Sequence, residues 1–251
     1  MEHRKHFDNI TTDDLSRSFG LAGINLVTFP EPSSPRPFPF MPHTELRAFQ
    51  LWLVKEPWKK HWGRVDKEVR DHFGDSTGHR VLAHVEELLD VFTGFTHDPA
   101  PFVSLRTVDK TYIEKNGTSV SAGYHRDASF LTLQHTMTGE PLQWARNGNV
   151  RRGYFDTKQI QPASDPDDLV LFDPDDYEAV PDGTVAILKG ELRSDEQDAG
   201  TIDFLGNFID SQNIPDFNRD GGLIHRGDKT THNGRMVLTI TTHQQPEWMP
   251  S

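Results

Sequence analysis

The sequence predicts an α+β protein in which N-terminal helices pack on a β-sandwich or barrel, and three observations carry that prediction. Between residues 44 and 98 apolar residues recur at helical spacing. After residue 100 the texture changes to short β-rich runs. Gly, Asn, Asp and Pro punctuate the gaps between those runs, the pattern of helices first and strands after. With 251 residues, 16 Phe and 5 Trp, the chain is long enough, and rich enough in large rings, to bury one sizeable core as a single compact domain.

Residues 1–43 read as an N-terminal segment. Thr11 and Thr12 ahead of Asp13-Asp14-Leu15 cap a short helix. The proline-dense stretch Thr28–Pro42 is expected as an extended loop whose Phe29, Phe38 and Phe40 press against the body. Residues 44–98 read as a helical support region. Its first helix carries Leu46, Phe49, Leu53 and Val54 and breaks at Pro57. A second runs from Trp58 to about Phe73, and a third begins near Ser76 with Val81, Val85, Leu88, Leu89 and Phe92 on one face. Gly94 and the Pro99–Pro101 pair close the helical region. Residues 99–251 form the β core, with strands expected at 102–108, 123–136, 183–189 and 235–242. The Asp-rich segment 165–176 lacks the Gly turn and closing Glu of a calcium loop and reads as a solvated acidic loop.

Composition narrows the function. Acidic residues number 38 against 26 basic, a net charge of −12 that argues against a nucleic-acid surface. No run of 18 apolar residues predicts a membrane span, and the polar start Met1-Glu-His-Arg-Lys shows no secretory signal, so a cytoplasmic protein is expected. Cysteine is absent, which removes disulfides, thiolate zinc sites, Fe–S clusters and cysteine nucleophiles. A metal in this chain must be held by nitrogen and oxygen, and 13 histidines offer the nitrogen.

The chemistry concentrates in Tyr124-His-Arg-Asp127 and in Leu223-Ile-His225. On a strand, His125 and Asp127 share a face. An HxD tripeptide alone recurs by chance, and a His and an Asp can be a satisfied pair. A second His on a later strand, His225, supplies a third ligand. Two imidazoles and one carboxylate with open positions is the donor set of non-haem Fe(II) oxygen chemistry. Arg235, ten positions on and one strand over, is placed to clamp the far carboxylate of a 2-oxo dicarboxylate bidentately.

His125-x-Asp127, His225 and Arg235 resemble the HxD…H…R pattern of the Fe(II)/2-oxoglutarate-dependent oxygenases. Their fold is a double-stranded β-helix, a jelly-roll, cupin-like core. The segments Tyr124–Asp127 to Leu142–Ala145, Val185–Glu191 and Leu223–Asp228 more narrowly resemble the uncharacterised DUF1826 family. The resemblance spans roughly residues 100–245. It implies Fe(II) held by His125, Asp127 and His225, 2-oxoglutarate held by Arg235, and O2 as co-substrate. The implied reaction hydroxylates a C–H bond of a small molecule, amino-acid-derived or from bacterial specialised metabolism, and releases succinate and CO2.

The sequence also departs from that pattern. Val237 stands where many such enzymes carry a Ser or Thr beside the clamped carboxylate, so another group must complete the clamp. Lys189 rivals Arg235 for the carboxylate, and Tyr112 is a further cofactor contact. His135, of the same parity as His125, and Trp144 are candidates for the substrate pocket, with core packing as the alternative for each. Arg126 is expected to point away from the ligands in a structural role. The 100 residues between His125 and His225 require an insertion, expected between 145 and 222. His125-Arg-Asp127 also spells a kinase catalytic-loop tripeptide, but no Gly-rich loop precedes it, and a kinase is excluded. Two alternatives stay open, a cupin-like metal-dependent hydrolase or isomerase and a non-catalytic jelly-roll binding protein. A monomer or homodimer acting on a small molecule, without nucleic-acid or membrane partners, is the expected assembly.

Overall fold

The computed structural model describes residues 4–21, 24–31, 48–53, 57–109, 123–155, 167–194, 216–227 and 234–249. Among these described residues, ten strands and three α-helices follow in chain order. They are β1 (Arg4–His6), α1 (Thr12–Phe19), β2 (Leu26–Pro30), β3 (Phe49–Leu53), α2 (Trp58–Phe73), α3 (Asp75–Thr96) and β4 (Phe102–Val108), then β5 (Leu131–Thr138), β6 (Gln143–Ala145), β7 (Glu178–Ala179), β8 (Thr184–Lys189), β9 (Ile224–Arg226) and β10 (Arg235–Thr242). They form a seven-stranded sheet of order β1-β2-β8-β5-β10-β4-β3 and a three-stranded sheet of order β7-β6-β9. The pairings of these strands are antiparallel except β1 with β2. From β5 onward the chain passes repeatedly between the large sheet and the small one, which is how a double-stranded β-helix winds. The fold is therefore mixed α+β, with two sheets arranged as in a jelly roll and the N-terminal helices packed on the larger one.

The helices follow from local chemistry. In α1, Thr11 accepts from the Asp14 N–H while Asp14 accepts from the Thr11 N–H, a reciprocal capping box. Gly74 adopts φ 78° between α2 and α3, a left-handed turn open to glycine at little cost. On α3 the expected stripe Val81, Val85, Leu88, Leu89 and Phe92 is buried throughout.

Alternation on the large sheet separates two faces. Val103 and Leu105, Leu131 and Leu133, Val185 and Ile187, and Leu238 and Ile240 join the helices in one core. On the opposite face Leu26, Ala186 and Leu188 meet Leu142, Trp144, Val180 and Leu223, filling the space between the sheets. Every β10 residue of odd number thus looks into the jelly roll, Arg235 among them.

Three expectations are corrected. Residues 49–53 form strand β3, not helix: Leu51 and Leu53 alternate into the core while Gln50 and Trp52 face the other way, and pairing with β4 overrides the helical spacing. Leu26–Pro30, assigned in part to the proline-dense loop, is a strand between β1 and β8, with Pro30 at its end where a missing N–H costs least. The expected strand 123–136 begins only at Leu131. Before it, His125 makes a single bridge to His225. Residues 32–47 and, within the insertion between 145 and 222, residues 156–166 and 195–215 lie outside the described residues.

That interruption decides the place of His135. It points to the helix side, where its Nδ1 hydrogen-bonds His84 Nε2 on α3 at 2.9 Å, and His84 Nδ1 stands 3.3 Å from a Glu31 carboxylate oxygen. Burial pushes His84 down to about 4 and, with His84 beside it, His135 to about 3. Both rings are neutral in the fold. Below the ordinary imidazole value of 6.5 the unfolded chain takes up protons that the folded chain refuses, so stability is complete above that pH and falls toward pH 4. The loss is of the order of 3 kcal/mol for His84 alone. We expect the Tm to drop between pH 7.5 and pH 5 in the wild type, and by a smaller amount in the double variant His84→Leu/His135→Leu. Equal losses in the two proteins would contradict this origin.

Candidate metal centre

The small sheet brings the two candidate histidines together. His125 and His225 exchange backbone hydrogen bonds, each N–H donating to the other's carbonyl at 2.9 Å, so their side chains emerge side by side. The ring centroids are 4.3 Å apart. His125 Nδ1 lies 2.9 Å from the Gly123 carbonyl and His225 Nδ1 lies 3.1 Å from the Leu223 carbonyl. Each carbonyl accepts the Nδ1 proton, which fixes the tautomer and leaves both Nε2 lone pairs for a ligand. Asp127 Oδ1 is 3.6 Å from His225 Nε2, and Asp127 Oδ2 is buried with no hydrogen-bond partner among the described residues.

These three residues offer donor atoms within 4.8 Å of one another. Metal–ligand bonds of about 2.1 Å place adjacent corners roughly 3 Å apart, so the set closes on one ion by small side-chain movement. Desolvation, then His225, pushes the His125 ring well below the ordinary imidazole range and keeps it in the neutral form that ligates metal. Glu31, His84 and His135 form a second such group among the described residues, on the helix side of the sheet. There the His84–His135 hydrogen bond already engages one nitrogen of each ring.

Arg235 is 3% exposed and lines the same pocket as the triad, with Val108, Leu142 and Val237 as apolar walls. Its Nη2 donates to Thr136 Oγ1 at 3.2 Å. Thr136 lies directly across from Val237 on β5. A hydroxyl from the neighbouring strand thus meets Arg235, a contact that linear spacing does not reveal.

Other sequence candidates fall elsewhere. Lys189 points to the helix face, where its Nζ donates to the Phe19 carbonyl at 3.3 Å and sits 5.6 Å from the Phe217 ring, so it does not compete with Arg235. Trp144 pairs with His225 on β6 but is 2% exposed and packs in the core between the sheets, not along the pocket. His135 faces the helices, because the irregular segment 126–130 breaks the strand parity that linked it to His125. Tyr112 lies outside the described residues.

The residue that sequence reasoning passed over is Glu191. It is fully buried and its carboxylate collects three guanidinium groups: Arg193, Arg152 at 3.2 Å and Arg126 at 3.4 Å. The Gly222 N–H adds a fourth donor at 3.1 Å. Burial alone would raise the carboxyl, but Arg126, followed by Arg193 and Arg152, outweighs it and holds Glu191 below the usual range. Its backbone N–H donates to the Asp127 carbonyl at 3.0 Å, and the Lys189 carbonyl accepts from Leu223 at 3.2 Å. One carboxylate therefore ties the segment bearing His125 and Asp127 to the segment leading into His225. A β-carbon at Gly190 would lie 2.8 Å from the Asp127 carbonyl, which shows how closely these backbones meet.

Known proteins add little to this geometry. No family model matches the chain, which leaves the narrower DUF1826 resemblance without support, and no curated protein matches it. Among solved structures, a full-length protein of Neurospora crassa in complex with alpha-KG matches at 12% identity over 96% of this chain and 82% of that one, with a TM-score of 0.37. A rice dioxygenase for auxin oxidation matches at 12% identity over 97% and 83%, with a TM-score of 0.46. At such identities and scores the likeness carries no argument about activity, and the fold rests on the strand order itself.

Removing the Glu191 carboxylate leaves the buried Arg126 and the partly buried Arg152 and Arg193 facing one another. We expect Glu191→Ala to cost about 3–5 kcal/mol of stability and to weaken Mn(II) binding about 10- to 100-fold under conditions where the variant stays folded. Chemical denaturation and metal titration check the two effects, and a variant as stable and as tightly metallated as the wild type would contradict them.

Proposed function

We propose that the protein is an Fe(II)- and 2-oxoglutarate-dependent dioxygenase that hydroxylates a C–H bond of a small molecule. The observation that carries this reading is the convergence, in one pocket, of the His125 and His225 imidazoles, the Asp127 carboxylate and the Arg235 guanidinium. His125, Asp127 and His225 would hold the iron on one face and leave the other open. With 2-oxoglutarate and O2, iron held there supplies the oxidising power for C–H hydroxylation, with succinate and CO2 as co-products.

The chain's own residues select and orient the co-substrate. A buried guanidinium clamps a carboxylate through parallel N–H donors, and Thr136 Oγ1, which accepts from Arg235 Nη2 at 3.2 Å, holds that guanidinium in place. Val108, Leu142 and Val237 keep water from that end of the pocket and strengthen the pairing. A metallohydrolase built on the same triad gives Arg235 no task. A cytoplasmic monomer or homodimer without nucleic-acid or membrane partners completes the proposal. Among the described residues, no helix is long and apolar enough to cross a membrane.

Anaerobic calorimetry of 2-oxoglutarate binding to the Mn(II)-loaded protein tests the assignment. We expect binding to require the metal, to weaken about 10- to 100-fold in Arg235→Ala, and to weaken about tenfold or less in Thr136→Ala. Equal 2-oxoglutarate affinity in wild type and Arg235→Ala would overturn it, as would no binding to the metallated wild type.

A further inference from the structure

A second arginine faces the same interior. Arg106 sits on β4 with the parity of Ser104, opposite Val237 on β10 and two pairs along from Arg235. It lines the metal pocket and also an adjoining groove, and the two spaces share three residues: Arg106, Asp127 and Thr239. Arg235 lines the metal pocket and not this groove.

The groove has its own chemistry. Its outer wall is aromatic: Trp52, on edge strand β3, is 40% exposed and packs against Phe102 with ring centroids 5.0 Å apart. Its floor carries the hydroxyls of Ser104, Thr239 and Thr241. At the end that meets the metal pocket stands the Arg106 guanidinium, 6.0 Å from the centre of the Trp52 ring. The volume of about 190 Å³ is below the roughly 300–1,000 Å³ of pockets for drug-sized ligands, which sets the occupant at the scale of a small metabolite. The groove thus joins an aromatic wall to a guanidinium at its inner end.

We propose that this groove is the substrate subsite and that it selects a small aromatic carboxylate, its ring against Trp52 and Phe102 and its carboxylate on Arg106, beside the Asp127 ligand. The assignment rests on the dioxygenase reading for its place in the reaction, but its recognition chemistry is independent of it. Arg106 holds the substrate anion and Arg235 the co-substrate anion. Since Arg106 and Asp127 border both spaces, the substrate carbons nearest the carboxylate lie nearest the metal.

Binding separates this proposal from the one beneath it. The probe is 3-phenylpropionate, compared with 3-phenylpropanol (ring without charge) and butyrate (charge without ring), titrated calorimetrically into the protein loaded with Mn(II) and 2-oxoglutarate and into the metal-free protein. We expect the wild type to prefer 3-phenylpropionate over each comparator by about tenfold or more. Arg106→Gln should abolish discrimination between acid and alcohol, Arg106→Lys should restore part of it, and Trp52→Ala should lower affinity for both ring compounds. A structural role for Arg106 would not collapse charge discrimination alone. If the wild type does not distinguish acid from alcohol, or if Arg106→Gln loses 2-oxoglutarate and keeps the probe, the proposal is overturned. Probe binding that depends on Arg106 in a protein that never binds 2-oxoglutarate would uphold the subsite and defeat the dioxygenase reading.

Discussion

The buried Glu191 carboxylate is the constraint on which the candidate metal centre depends. Putting a carboxylate out of water is costly, and here the cost is offset by Arg126, Arg152, Arg193 and a backbone N–H. The partners come from separate stretches of chain. Arg126 lies between the two ligands of the HxD segment, Arg152 in the short helical turn 152–155, and Gly222 on the approach to His225. The ion cluster converts three distant segments into one rigid mount. On that mount His125 and His225 form a single antiparallel bridge whose carbonyls and amides leave no freedom in how the rings emerge.

A β-sheet has two faces, and this protein assigns them opposite tasks. The face of the large sheet toward the helices is largely apolar, and its His135 and Lys189 are neutralised by burial or satisfied by a backbone carbonyl. The inner face carries Arg106, Gln134, Thr136, Arg235 and Thr239 above the triad. A change of one residue in strand register would exchange these sets, which is why alternation on β4, β5 and β10 fixes both the core and the site at once.

Much of this was legible in the sequence. The capping box at Thr11, the α2 and α3 helices, the strands at 102–108, 184–189 and 235–242, and the grouping of His125, Asp127 and His225 with Arg235 all follow from spacing and residue chemistry. What was not legible is instructive. Phe49 and Leu53 share helical spacing as well as strand parity, and only the partner β4 decides between them. Arg126 was readable as structural, but its partner Glu191 lies 65 residues on, past any local pattern. Thr136 meets Arg235 because strands β5 and β10 are neighbours, a fact of topology. His135 left the pocket because residues 126–130 are irregular, and its hydrogen bond to His84 joins a strand to a helix.

The most direct test of the metal centre is an anaerobic titration of the protein with Fe(II) and then 2-oxoglutarate, followed by visible absorption. Bidentate 2-oxoglutarate on iron held by His125, Asp127 and His225 predicts a weak metal-to-ligand charge-transfer band that saturates at one equivalent of each and is absent in His225→Ala. No band in the wild type at any loading, or an equal band in His225→Ala, would contradict the account.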